Sequence, residues 1–249
     1  MKKEITFITK QGPRDYQEDR GLSVRIIAPT FTAWLLAVFD GHFGQMVSEF
    51  CSKKINELFK MTGVSRAEST LKKIVAQLDK ETKNFEEGST LSIALITERP
   101  KGMFSASIAI LGDSPIIVFD KSGKIHVSPE HNVRTNLEER EAAKGRGGMY
   151  HPVGYIFARG YDNGIQLGRA LGDTNFGKVL SHKPEIYTIP NPQWVLVATD
   201  GLFDPTHENS VELIGEIGKH AKQSANAEDL MAWAERRGLS DNATAIVWK

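Results

Sequence analysis

Short apolar runs bounded by turn residues recur along most of this chain. They predict strands over Glu4–Thr9, Leu22–Ala28, Thr32–Phe39, Ser89–Thr97, Gly102–Leu111, Ile116–Asp120, Ile165–Leu167, Glu185–Pro190, Trp194–Ala198 and Ala243–Trp248. Helical spacing falls in two pairs. Val47, Phe50, Lys54 and Leu58, then Leu71, Ile74, Val75, Leu78 and Thr82, mark the first pair. Val211, Ile214 and Ile217, then Leu230, Met231 and Ala234, mark the second. The order is strands, two helices, many strands, two helices and a last strand. Strict strand–helix alternation is missing, so the pattern predicts an α+β fold with antiparallel sheets and helices on their outer faces. The stretch 122–163 is different: it is rich in Gly, Arg and His, with one helical piece near Leu137–Ala143, and reads as a flap-like excursion. With no repeat and no Pro/Gly/Ser-rich linker, residues 1–249 read as one domain.

Composition narrows the classes. The chain has 249 residues, 40% hydrophobic and 25% charged, which excludes an intrinsically disordered chain. Lys+Arg and Asp+Glu each number 31, and that balance argues against a nucleic-acid or anionic-membrane partner. One cysteine, Cys51, permits neither an intrachain disulfide nor a Cys-rich zinc module. No apolar leader follows Met1, and the longest apolar run, Ala33 to Phe39, is too short to span a bilayer. A cytoplasmic monomer is expected.

Candidate chemistry sits where the apolar strands stop. Leu35-Leu36-Ala37-Val38-Phe39 ends at Asp40-Gly41, and Val195-Leu196-Val197-Ala198-Thr199 ends at Asp200-Gly201. A third run ends at Gly112-Asp113, and the last begins after Asp241-Asn242. Asp-Gly is common turn chemistry, and any one of these sites alone reads that way. Four carboxylates at the rim of a core must be solvated, paired or metal-bound. Hard cations such as Mg²⁺ and Mn²⁺ take such oxygen ligands. The segment Arg14-Asp15-Tyr16-Gln17-Glu18-Asp19 reads either as a solvated charge cluster or as an arginine that clamps phosphate near a metal. His42, two residues after Asp40, is either structural or a general acid.

Taken in order, these motifs carry a resemblance. Arg14…Glu18-Asp19, Val38-Phe39-Asp40-Gly41-His42-Phe43-Gly44, Gly88-Ser89-Thr90, Gly112-Asp113-Ser114, Gly168-Arg169-Ala170-Leu171-Gly172-Asp173, Thr199-Asp200-Gly201-Leu202-Phe203-Asp204 and Ser240-Asp241-Asn242-Ala243-Thr244 span nearly the whole chain. The set resembles the PP2C (PPM) family of metal-dependent protein serine/threonine phosphatases. The resemblance implies a four-layer αββα sandwich. It implies phosphorylated proteins as substrates and two Mg²⁺ or Mn²⁺ ions per chain, with a weaker third. By motif position Asp40 bridges both ions, Glu18 and the Gly41 carbonyl complete one shell, and Asp200 and Asp241 hold the other ion. Asp19 stands at the place of an acid behind the ligands, and Asp113 and Asp204 at the places of acids linked to the third metal. Arg14 matches the phosphate-binding arginine and His42 the general acid. A metal-bridged water then attacks phosphorus with no covalent intermediate.

Two positions depart from the family pattern. Pro115 follows Gly112-Asp113-Ser114 where many relatives carry arginine, and Glu130-His131-Asn132 stands in place of Asp-His-Lys. Two rival readings remain: a non-catalytic regulatory module on the same fold, and a metal-dependent hydrolase of small phosphorylated molecules. Retention of Arg14, His42 and every ligand position counts against the first. Comparing phosphopeptide with nucleotide turnover separates out the second.

Overall fold

The computed structural model describes residues 3–28, 31–62, 66–99, 102–203 and 210–249. In chain order the strands are β1 (Ile5–Lys10), β2 (Arg20–Ala28), β3 (Phe31–Phe39), β4 (Gly41–His42), β5 (Gly88–Ser89), β6 (Leu91–Arg99), β7 (Met103–Leu111), β8 (Ile116–Asp120), β9 (Ile125–Val127), β10 (Met149–His151), β11 (Tyr155–Phe157), β12 (Gly164–Ile165), β13 (Leu171–Gly172), β14 (Glu185–Pro190), β15 (Pro192–Ala198) and β16 (Ala243–Trp248). The helices are α1 (Met46–Thr62), α2 (Ala67–Thr82), α3 (Leu137–Gly145), α4 (Ser210–Lys222) and α5 (Ala227–Arg236).

Two five-stranded antiparallel sheets form the centre, in the orders β1-β16-β15-β8-β9 and β14-β7-β6-β3-β2. Side-chain alternation along β3 explains why four layers result. Trp34, Leu36 and Val38 point one way and meet Ile116, Val118, Val197 and Ile246 of the other sheet. Ala33, Leu35, Ala37 and Phe39 point the other way, onto Ile55, Phe59, Leu71, Ile74 and Leu78 of α1 and α2. Leu196 and Ala198 of β15 do the same against Ile217 of α4 and Leu230 of α5. Continuous apolar runs usually signal parallel strands; here antiparallel strands need them because helices cover both outer faces. Cys51 is fully buried in the layer between α1, α2 and their sheet. Among the described residues no helix is long and apolar enough to cross a membrane.

The helix ends have local causes. The Asn226 side chain accepts from the Asp229 N–H while the Asp229 carboxylate accepts from the Asn226 N–H, a reciprocal cap that starts α5. Asn136 caps α3 by accepting from the amides of Glu138 and Glu139. At the start of α1 the cap comes from far along the chain: the Glu87 carboxylate accepts from the Met46 N–H at 2.5 Å.

Some boundaries differ from the sequence reading. The strand expected over Ser89–Thr97 breaks at Thr90, whose N–H is drawn to the Asp40 carbonyl. Of the expected Ile165–Leu167 strand only Ile165 pairs with β11, together with Gly164 before it; Leu167 makes one bridge to Asn132. The excursion starts later than residue 122, because Ser122–Lys124 is a tight turn around Asp120 and β9 pairs with β8 in the main sheet. It then holds α3, the β10–β11 hairpin and β12 around its own small core, which includes Val133, Ala143, Ile156 and Ile165. A buried ionic hub ties it down. The Glu139 carboxylate accepts from Arg169, whose guanidinium also reaches Glu185 at 3.4 Å. His131 Nε2 lies 3.2 Å from the same Glu185 carboxylate, and its Nδ1 accepts from the Gly112 N–H.

Candidate active site

β3 and β15 belong to opposite sheets and end at the same edge of the sandwich, so Asp40 and Asp200 face one another. Their carboxyls share a hydrogen bond. Burial first, then the charges of Asp19, Asp200 and Asp113, push the Asp40 carboxyl well above the usual carboxylate range. The cleft there has a volume of about 330 Å³, and its walls include Arg14, Glu18, Asp40, Gly41, His42, Asp113, Asp200 and Asp241. Of the sequence-predicted residues, Asp19 lies behind this wall and Asp204 falls outside the described residues.

Hydrogen bonds fix each acid. Asp40 N–H donates to the Thr90 hydroxyl at 3.1 Å, and that hydroxyl pairs with Ser114. Glu18 accepts from the Gly44 N–H at 2.8 Å, yet burial leaves its carboxyl raised. Asp19 is buried; one oxygen accepts from both the Thr199 and Thr244 hydroxyls, and the other has no partner among the described residues. Burial pushes this carboxyl up to about 7, against the two hydroxyl bonds. Asp113 accepts from the Asn132 amide at 2.8 Å. Asn132, which replaces the family's lysine, thus holds this acid with a neutral donor. Asp241 pairs with Arg14 at 2.5 Å, and its carboxyl is raised, first by burial and then by Asp200.

The Asp-Gly reading as ordinary turn chemistry does not hold at the two central sites. Neither Gly41 nor Gly201 has a positive φ. A Cβ on Gly201 would lie 1.9 Å from the Asn242 carbonyl oxygen, and one on Gly41 would lie 2.8 Å from the Glu18 carbonyl oxygen. Close packing of neighbouring site segments excludes any side chain there.

Two residues escaped the sequence reading of the site. Asp173 has its carboxylate 2.8 Å from His42 Nε2, fully buried, while His42 keeps 21% of its side chain exposed. A carboxylate only accepts, so Nε2 carries the proton of this bond. Burial works to lower the imidazole pKa, but Asp173 leaves it raised. The contact depends on β4, β5 and β13, a three-stranded ribbon with β5 in the middle. The second is Asn242. Its side chain accepts from the Glu18 N–H and donates to the carbonyls of Gln11 and Tyr16, which moors the segment that carries Arg14 and Glu18. The motif Asp241-Asn242 was the one available signal for it.

The donor set fits divalent cations of the Mg²⁺ or Mn²⁺ type. It is all oxygen, burial and then mutual repulsion raise Asp40, Glu18 and Asp241 together, and a buried Asp19 oxygen lacks a partner among the described residues. Among the described residues, the trio of His and carboxylate atoms within 4.8 Å of one another lies elsewhere, at His131, Glu139 and Glu185. Arg169 already pairs with both carboxylates of that trio, so it serves as an ion-pair hub.

Comparison with known proteins agrees with this geometry. A model of the family Protein phosphatase 2C matches residues 7–243. Protein phosphatase 1L of Bos taurus is 27% identical over 98% of this chain and 72% of its own length. Three other curated relatives are covered over 37%, 54% and 55% of their lengths. A phosphatase structure from Toxoplasma gondii superposes with a TM-score of 0.73 at 19% identity, over 99% of this chain and 92% of that one. The catalytic domain of the serine threonine protein phosphatase PstP, solved with 2 manganese ions, superposes at 0.57 with 18% identity, over 99% and 97% of the two chains.

Proposed function

Because this chain belongs to the protein phosphatase 2C family, we propose that it hydrolyses phosphoserine and phosphothreonine in proteins with two bound Mg²⁺ or Mn²⁺ ions. The observation that carries this reading is the convergence of Glu18, Asp40, Asp200 and Asp241 on one cleft with Arg14 and His42. Asp40 would serve both ions, Glu18 and the Gly41 carbonyl would serve one, and Asp200 and Asp241 would serve the other. Asp113 and Asp204 are assigned to a weaker third. When bound, the ions supply a nucleophilic water of lowered pKa and offset charge on the phosphoryl group.

The chain's own groups do the rest. Arg14, 52% exposed beside the cleft and paired to Asp241, exchanges part of that pairing for two phosphoryl oxygens. His42 holds its Nε2 proton on Asp173, so the proton on Nδ1 is the one it delivers to the departing serine or threonine oxygen. Asp173 orients the ring and stabilises its charged form. A thiol nucleophile has no place in this scheme: Cys51 is sealed in the core, and burial pushes its thiol above the usual range.

The test is release of phosphate from phosphoserine peptides by the full chain. Activity should vanish with EDTA and return with added Mn²⁺. Hydrolysis that survives EDTA, or that favours nucleotides over phosphopeptides, overturns the reading.

A further inference from the structure

Beside the cleft lies a second, larger depression of about 600 Å³, which meets the first at Phe43. Phe43, Met46, Phe85 and Tyr161 line it, with Glu86 and Glu87 among them, and among the described residues no lysine or arginine contributes to its wall.

Phe43 is displayed at a cost. It holds φ of +60°, a left-handed conformation that a bulky side chain avoids, and the residue is 41% exposed. The ring stacks on buried Phe176 at 6.0 Å, and Tyr161 meets the same Phe176 edge-on at 5.2 Å. Two aromatic rings are therefore fixed on one buried support, with exposed Met46 beside them. Glu87 is occupied in capping α1, but Glu86 is exposed and has no ion pair among the described residues.

A rigid aromatic floor next to an unpaired carboxylate suits a long cationic side chain. Its stem covers the rings, its planar head stacks on them, and its charge meets Glu86. Arginine satisfies all three better than lysine. Phe43 directly follows His42, so a peptide with its phosphorylated residue in the cleft runs on over Phe43. An extended chain advances ~3.3 Å per residue, so the depression is reached within a few positions.

We propose that this depression is a substrate subsite that takes an arginine close to the phosphorylated residue of a protein substrate. It rests on the phosphatase reading above and names the sequence context that reading leaves open.

The test compares the full chain with its Glu86→Lys and Glu86→Gln variants. Phosphoserine peptides carry Arg, Ala or Glu in turn at each of the three positions on either side. p-Nitrophenyl phosphate serves as a substrate with no flanks. The unaltered chain should favour Arg over Glu by roughly three- to tenfold in kcat/KM at one or two neighbouring positions on one side. Glu86→Gln should flatten the preference, Glu86→Lys should reverse it, and both should leave p-nitrophenyl phosphate turnover unchanged. Peptide turnover with no Arg preference, or a preference that both variants keep, overturns the subsite alone. Turnover of p-nitrophenyl phosphate with none of any phosphopeptide overturns the protein-substrate reading and the subsite together.

Discussion

His42 and Asp173 stand 131 residues apart and share one proton at 2.8 Å. That bond makes two predictions at the residue scale. General acid catalysis is worth ~10²–10⁴-fold where the leaving oxygen needs a proton. His42→Ala should therefore slow phosphoserine peptide hydrolysis by that factor and p-nitrophenyl phosphate hydrolysis far less, since nitrophenolate leaves unprotonated. Asp173→Asn should cost less than the His42 change, because the ring remains. It should also move the alkaline fall of kcat to lower pH. The sign follows from the raised imidazole: the acid form is active, and without the carboxylate it is lost earlier as pH rises. Equal losses on both substrates, with an unmoved pH limb, would remove the acid role from His42. A second expectation concerns Asp40→Asn. It should abolish turnover in limiting Mn²⁺ yet raise the melting temperature in EDTA, because it deletes one of several crowded acids. Calorimetric titration with Mn²⁺ and thermal melts read the two effects separately.

At the scale of elements, the smallest ribbon matters most. In it His42 lies opposite Gly88, and Gly88 opposite Gly172. A Cβ on Gly88 would fall 2.2 Å from His42 Nε2 and 2.1 Å from Asp173 Oδ2. Gly88→Ala should thus drive the pair apart and move the alkaline fall of kcat to lower pH, as Asp173→Asn should. An overpacking cost of ~1–3 kcal/mol should appear in the melt. Native kinetics in the Gly88→Ala variant would show that the pair tolerates separation. This ribbon also marks what could be read from the amino acids. The four long central strands and both helix pairs announced themselves through period, and the acids at strand ends through the turn that follows. Two-residue strands carry no period at all, so β4, β5 and β13, and with them the partner of His42, were invisible. Asp173 closes the motif Gly168–Asp173, but nothing local to that motif says that the acid faces a residue in β4. In the flap the helical piece near Leu137–Ala143 was legible and is α3, but the rest showed only as a loss of pattern, because its order comes from a small core and from Arg169, Glu139, Glu185 and His131, which are scattered in sequence.

Across the whole molecule, the site spans the seam between the two sheets, with Asp40 from one and Asp200 from the other. Cation binding should therefore stabilise the entire sandwich, by an amount that grows with the logarithm of ion concentration above the dissociation constant. Asp19 contributes to the pH dependence of the ion-free chain alongside the raised carboxyls of Asp40, Glu18 and Asp241. Its folded carboxyl titrates at about 7, far above the unfolded value near ~3.9, so the folded state holds the extra proton between them. Stability from this residue is full below pH ~4, falls as pH rises towards 7, and falls no further once the folded carboxyl has ionised. Buried His131 works in the opposite direction, since its lowered pKa removes stability as pH drops below its unfolded value. Comparing Asp19→Asn with the parent in EDTA cancels the His131 part. The variant should be more stable at pH 8 by roughly 2–4 kcal/mol and similar at pH 4, measured by urea unfolding. A difference that does not change with pH would place the Asp19 proton elsewhere.

The seclusion of Cys51 has a consequence for cells under oxidative load. Enzymes that attack phosphate with a cysteine thiolate stop when peroxide converts that sulfur to a sulfenate. This chain offers the oxidant no comparable target, since its single thiol is walled in by α1 and α2 and kept protonated. The sulfur that peroxide reaches first is on methionines such as Met61, 80% exposed, and Met46, 56% exposed. Oxidation would then turn the greasy side of the depression next to Phe43 polar, while the apparatus that cleaves phosphate kept running.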